Sequence, residues 1–166
     1  KESMAEWDLE KHRMADIQLD EKSVIRRSPE VEHERAVALY DLKDMNRFRL
    51  NGGAEGPYKV RLIIEEGGKR LLFAITDTED ASLADVNLPL SPFRRLIRDY
   101  FQICESYFDA IKKLSPSQIE TIDMARRGLH NEGSDLLRER LQEKLEMDNA
   151  TARRLFTLIC VLHIRG

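Results

Sequence analysis

The run YKVRLIIEEGGKRLLFAITD, residues 58–77, holds two alternating apolar segments separated by Gly67-Gly68. Paired glycines suit a two-residue hairpin turn, which needs positive φ at both central positions. Pairing Glu66 with Lys69 sets Ile64 opposite Leu71, Leu62 opposite Phe73 and Val60 opposite Ile75. Side chains alternate along a strand, so all six share one face, and that face requires a cover of helices. The hairpin therefore predicts an α+β fold.

Outward from it, the signals change in both directions. Upstream, ADIQLDE alternates with Ile17 and Leu19 on one side, which predicts a short strand. A helix follows, with Ser28 as N-cap, Pro29 at its first position, and Glu30 and Glu32 in its first turn. Its apolar positions are Val31, Ala36, Leu39 and Leu42, and NGGAEGP at 51–57 reads as a loop. Downstream, DVNLPL predicts a third strand at the sheet edge, because Pro89 has no N–H to donate.

From Ser91 onward the period is helical. Phe93, Leu96, Ile97, Tyr100, Cys104, Tyr107, Phe108, Ile111 and Leu114 form one stripe. Ser115-Pro116-Ser117-Gln118 is a capping box that starts another helix, and a further helix carries Leu136, Leu137 and Leu141. The last helix, capped near Asp148, is apolar almost all round from Leu155. Such a helix is buried, either centrally in its own bundle or against a second copy. The expectation is a small antiparallel sheet, made of the hairpin at 58–77 plus short flanking strands, packed against a C-terminal bundle of about four helices. Residues 15–166 form a single α+β domain in this reading, and residues 1–14 a poorly ordered tail.

Composition narrows the function classes. A chain of 166 residues suits one domain. Lysine plus arginine number 27 against 30 acids, a formal charge of −3, so a nucleic-acid partner is not expected without a local basic patch. Cys104 and Cys160 lie in apolar helical patterns and read as reduced, buried thiols of a cytoplasmic protein. The longest uncharged apolar run, Leu155 to Ile164, is far short of the roughly 20 residues that span a bilayer, so no membrane is expected. No GxSxG, CxxC or HExxH occurs, NGGAEG lacks the ending of a phosphate loop, and the four histidines show no metal spacing. No cofactor or metal is expected.

Two clusters carry chemistry. In ARRGLHNEG, residues 125–133, Arg126 falls about 40° from the centre of its helix's apolar face, with His130 one turn later. A guanidinium there is costly unless it is paired or reaches water. Arg126 thus needs either an internal carboxylate, with Glu132, Asp123 and Glu105 as candidates, or a bound anion. In one reading Arg126, His130 and Glu132 form a polar clasp between two helices around a Gly128–Gly133 break. In the other they line a pocket, with Arg126 gripping an anion and His130 and Glu132 as candidate catalytic groups, His130 titrating near neutral pH. The second cluster is Arg94, Arg95 and Arg98, in the first two turns of a helix, where the dipole disfavours cations by roughly 0.3–1 kcal/mol each. Free amides and arginines suit a phosphate; the alternative is pairing with Asp77, Glu79 and Asp80.

The blocks RRSPEVEHERAVALYDL, SPFRRLIRDYFQICESYFDAI and SPSQIETIDMARRGLHNEGSDLL, with ARRLFTLICVLHIRG, carry a resemblance. From about Ile17 to Gly166 the chain resembles an uncharacterised family of small alphaproteobacterial proteins. The resemblance implies a bacterial, cytoplasmic origin and transfers no catalytic residue. The leading functional expectation is a non-catalytic cytoplasmic protein acting through a protein partner or by self-association through the 149–165 helix. The alternative is a sensor or enzyme for a phosphate-bearing ligand (nucleotide, phosphate ester or RNA). It would use Arg126, His130 and Glu132 together with Arg94, Arg95 and Arg98.

Overall fold

A computed structural model describes residues 7–20, 29–113 and 115–163. The chain runs β1 (Met14–Asp20), α1 (Pro29–Asp44), β2 (Phe48–Leu50), β3 (Tyr58–Glu65), β4 (Arg70–Thr76) and β5 (Ser82–Pro89), then α2 (Arg94–Lys113), α3 (Pro116–Leu141), β6 (Leu145–Met147) and α4 (Asn149–Leu162). The class is α+β, as the hairpin implied. The expected N-cap Ser28, residues 1–6 of the tail, Leu114 and residues 164–166 lie outside the described residues.

The hairpin keeps the register that its pattern predicts, Val60 to Ile75, Leu62 to Phe73 and Ile64 to Leu71. Its connection is wider than two residues: Glu65 and Arg70 are the last pair, and the Lys69 amide donates to the Glu65 carbonyl at 3.2 Å. Gly67 and Gly68 have φ of 66° and 97°, the left-handed region that an L side chain resists. The four strands lie in the order β1-β3-β4-β5, with β5 at the edge. The sheet is mixed rather than antiparallel throughout, because β1 runs parallel to β3. A parallel neighbour needs a long crossover, and the segment containing α1 supplies it.

The helical layer differs from expectation in one consequential way. Four helices cover the sheet, but α3 runs unbroken for 26 residues and α1 takes the remaining place. Gly128 and Gly133 are therefore inside a helix, not at a joint. Gly133 is there for contact: a Cβ on it would stand 2.5 Å from the ring of Phe156, which is fully buried on α4. Ser115 forms the expected capping box of α3. In α2 the predicted stripe is buried from Phe93 to Cys104 and then thins, leaving Ile111 half exposed.

The centre of the core is α4. Asp148 caps it by accepting the Thr151 amide at 2.9 Å, and Leu155, Phe156 and Leu158 to Val161 have no exposed surface at all. They join the sheet's apolar face in one cluster, each side chain contributing about 1.5–3 kcal/mol by leaving water. Helices α1, α2 and α3 pack around this helix from Leu155 onward, while Ala150 near its start stays exposed. The apolar stretch 155–162 is thus buried centrally in its own bundle, one of the two placements that its composition allowed.

Two short features lay beyond the sequence pattern. β2 and β6 form an antiparallel ribbon, with Arg49 and Glu146 paired at 3.1 Å, that ties the start of α4 to the end of α1. Residues Trp7 to Arg13, assigned to the tail, are fastened to this ribbon and to β3. The Phe48 amide donates to the His12 carbonyl and the Tyr58 amide to the Arg13 carbonyl, both at 2.9 Å. The Arg49 guanidinium lies 4.5 Å from the Trp7 ring.

The two α3 glycines should respond in opposite directions. Gly128→Ala meets nothing within 4 Å and should stabilise by about 0.5–1 kcal/mol through helix propensity. Gly133→Ala gains the same propensity but overpacks a locked ring, which costs about 3 kcal/mol and leaves a net loss. Urea unfolding of the two variants measures both signs; stabilisation by both would contradict the packing.

Candidate functional site

Helix α1 turns Glu34, Ala38 and Leu42 inward, one every four residues, while Ala36 points to solvent. Glu34 thereby reaches the helical layer. One of its oxygens, Oε1, accepts from Arg126 Nη1 on α3 at 3.1 Å and from the Tyr100 hydroxyl on α2 at 2.9 Å. Arg126 also lies 3.6 Å from Asp123 and rests over the Tyr107 ring at 4.8 Å. Burial opposes its charge, but the carboxylates of Glu34 and then Asp123 more than offset this, so its pKa stands above the ordinary value. Burial likewise pushes the Tyr100 phenol far above its usual range. The inward guanidinium thus has an internal carboxylate. Asp123 was foreseen as a candidate; Glu34, the closer partner, was not.

His130 stands one turn after Arg126, packed edge-on against Tyr100 and Phe156 at ring distances of 5.4 and 6.3 Å. Its Nε2 shares a hydrogen bond with Thr157 Oγ1 at 3.1 Å. Burial first, then the charges of Arg126 and Arg153, lowers its pKa to about 4. It is neutral at pH 7 and does not titrate near neutrality as its sequence position suggested. Glu132, the third member of the foreseen trio, is exposed and bonds Arg95 instead.

The arginines at 94–98 divide. Arg95 binds Asp99 at 3.1 Å as well as Glu132, so it links α2 to α3. Arg98 lies 3.7 Å from Asp99, and Arg94 is exposed. Asp77 caps its own turn by accepting the amides of Glu79 and Ala81, and Asp80 pairs with Lys59 at 2.6 Å. Two of the three acids proposed as partners for these arginines, Asp77 and Asp80, are therefore committed elsewhere.

Between α1, α3 and α4 lies an open cleft of about 290 Å³. Glu34, Val37, Ala38 and Asp41 come from α1, Arg126 and His130 from α3, and Ala150, Arg153, Arg154 and Thr157 from α4. Arg154 pairs with Asp41 at 3.3 Å across it. Arg153 bonds the neutral side-chain oxygen of Asn131. Asp41, Arg153 and Arg154 escaped the sequence reading, because nothing local says that the start of α4 faces α1. Cys104 and Cys160 are buried, which pushes the first thiol to about 11 and the second well above its usual value. Among the described residues no three His, Cys, Asp or Glu side chains gather as a metal site, and no helix is long and apolar enough to cross a membrane.

Two outcomes test this geometry. Glu34→Ala and Arg126→Met should each cost about 2–3 kcal/mol by stranding a half-buried charge or hydroxyl. The double variant should cost at least about 1 kcal/mol less than their sum, and additivity in urea unfolding would contradict the pairing. For His130 the folded pKa is depressed, so the unfolded chain binds the extra proton between pH 6.5 and 4. Stability from this group is complete above pH 6.5 and falls as pH drops through that window, by at most about 3 kcal/mol. His130→Gln should remove that part of the acid slope.

Comparison with known proteins adds relationship. The family model described as "Uncharacterised protein family (UPF0262)" matches residues 11–165. A UPF0262 protein of Paramagnetospirillum magneticum is 58% identical over 156 residues, covering 94% of this chain and 98% of that protein. One from Rhodospirillum rubrum is 58% identical over 153 residues, 92% of this chain and 93% of its own, and one from Ruegeria pomeroyi is 55% identical over 159 residues, 93% and 98%. No solved structure matches.

Proposed function

The chain belongs to UPF0262, an uncharacterised protein family, and we propose that it is a non-catalytic binding protein of the cytoplasm whose recognition site is the α1–α3–α4 cleft. Its output is contact with a protein partner rather than a reaction. One observation carries this reading: the groups that acid–base or nucleophilic chemistry would use are engaged, while the cleft beside them is open. His130 is neutral and bonded to Thr157, Glu132 is bound by Arg95, and both thiols are buried and protonated. A general base needs a pKa near the working pH, and a nucleophile needs a base beside it. The rim suits contact: Val37, which lines the cleft, is 42% exposed, and Tyr40, farther along the same helix, is 70% exposed. Large apolar side chains left in water beside a polar cleft are common at interaction sites.

The reading in terms of a phosphate-bearing ligand has less support. It draws on Arg94, Arg95 and Arg98 at the start of α2, and there Arg95 is spent on two acids. Arg126, its intended grip, is held by Glu34.

A cleft-filling substitution tests the proposal. Ala150 is exposed on the first turn of α4 and lines the cleft, so Ala150→Trp should fill it while changing stability by less than about 0.5 kcal/mol. Compounds that raise the melting temperature of the native chain in a metabolite screen should lose that effect in the variant. They should also be recovered unchanged after incubation. Hits indifferent to Ala150→Trp, or converted to product, would contradict the reading.

A further inference from the structure

From the charges and the wall of the cleft, we infer that its ligand is a small monocarboxylate with a short apolar chain. The inference rests on the cleft being a recognition site and adds the chemistry it recognises. Three guanidinium groups line the space, Arg126, Arg153 and Arg154, against two carboxylates, Glu34 and Asp41, and His130 is neutral. One positive charge is therefore in excess. It is found on Arg153, since Arg126 is paired with Glu34 and Arg154 with Asp41, whereas the partner of Arg153 is the uncharged oxygen of Asn131. A guanidinium presents a planar fork that takes a carboxylate through two parallel hydrogen bonds. A ligand with one negative charge neutralises the site, and a doubly charged one leaves an unmatched charge beside Glu34 and Asp41.

The remainder of the wall sets the other end of the ligand. Val37 and Ala38 of α1 and Ala150 of α4 give the cleft an apolar side, with room for a chain of a few carbons. Each methylene laid against it and fully removed from water should tighten binding by up to about fourfold. Volume limits the ligand as well: about 290 Å³ is just below the usual range for drug-sized sites.

The probes are acetate, butyrate and hexanoate, with hexanamide, succinate and methyl phosphate as comparisons, titrated into the full chain and followed by backbone amide NMR. Hexanoate should bind with a millimolar dissociation constant, tighter than butyrate and acetate, and move the amides around Ala150 and Arg153. Hexanamide, which lacks the charge, should bind at least about tenfold more weakly, as should hexanoate to Arg153→Gln. Asp41→Asn adds a second excess positive charge and should shift preference towards succinate and methyl phosphate. Succinate or methyl phosphate outcompeting hexanoate in the native chain, or full hexanoate affinity in Arg153→Gln, would overturn the inference. So would the absence of binding by any monocarboxylate. Should these probes fail while another ligand binds and is blocked by Ala150→Trp, the inference falls and the recognition site stands. An acidic peptide binding where free carboxylates do not would assign the site to a protein's carboxylate instead.

Discussion

One carboxylate oxygen, Glu34 Oε1, receives both the Arg126 guanidinium and the Tyr100 hydroxyl and so fastens three helices at a single point. Each donor is costly in isolation, because a half-buried arginine and a buried phenol both lose water without it. The arrangement places α1 across α3 and α4, and the cleft exists because α1 is held there. Charge-assisted hydrogen bonds to one acceptor also fix angle as well as distance. The position of α1 relative to the bundle is accordingly specific, not merely hydrophobic.

The second constraint is the burial of α4. A helix whose apolar side chains from Leu155 to Val161 have no exposed surface cannot shift without disturbing every neighbour. Its first two turns are the exception: Ala150, Arg153 and Arg154 face the cleft, with the Asp148 cap and the β2–β6 ribbon holding them. Gly133 lets α3 approach the Phe156 ring, and that approach brings Asn131 and His130 beside Arg153 and Thr157. The site is thus made by two glycine- and cap-dependent packings and two ion pairs, Arg126–Glu34 and Arg154–Asp41.

Much of this was legible in the sequence where the determinant is local. The hairpin register follows from alternation, the starts of α3 and α4 from Ser115 and Asp148, and the edge position of β5 from Pro89. The inward turn of Arg126 follows from helical geometry. The rest is non-local. Glycine is a weak helix former, so Gly128 and Gly133 suggested a break, and tertiary contact with Phe156 overrode propensity. The partner of Arg126 lies 92 residues away, and only the four-residue recurrence of Glu34, Ala38 and Leu42 hints that Glu34 points inward. Glu30 and Glu32 of that helix read as dipole complements, and nothing local sets Glu34 apart from them. The parallel pairing of β1 with β3 was readable in principle as strand, helix, strand.

Native-state hydrogen exchange in the Glu34→Gln chain is the most direct measure of whether this carboxylate holds α1 in place. Amides of α1 should exchange about tenfold to a hundredfold faster, as loss of a charged hydrogen bond to a local opening requires, while those of α4 keep their protection. Unchanged protection of α1, or an equal loss across all four helices, would contradict the account.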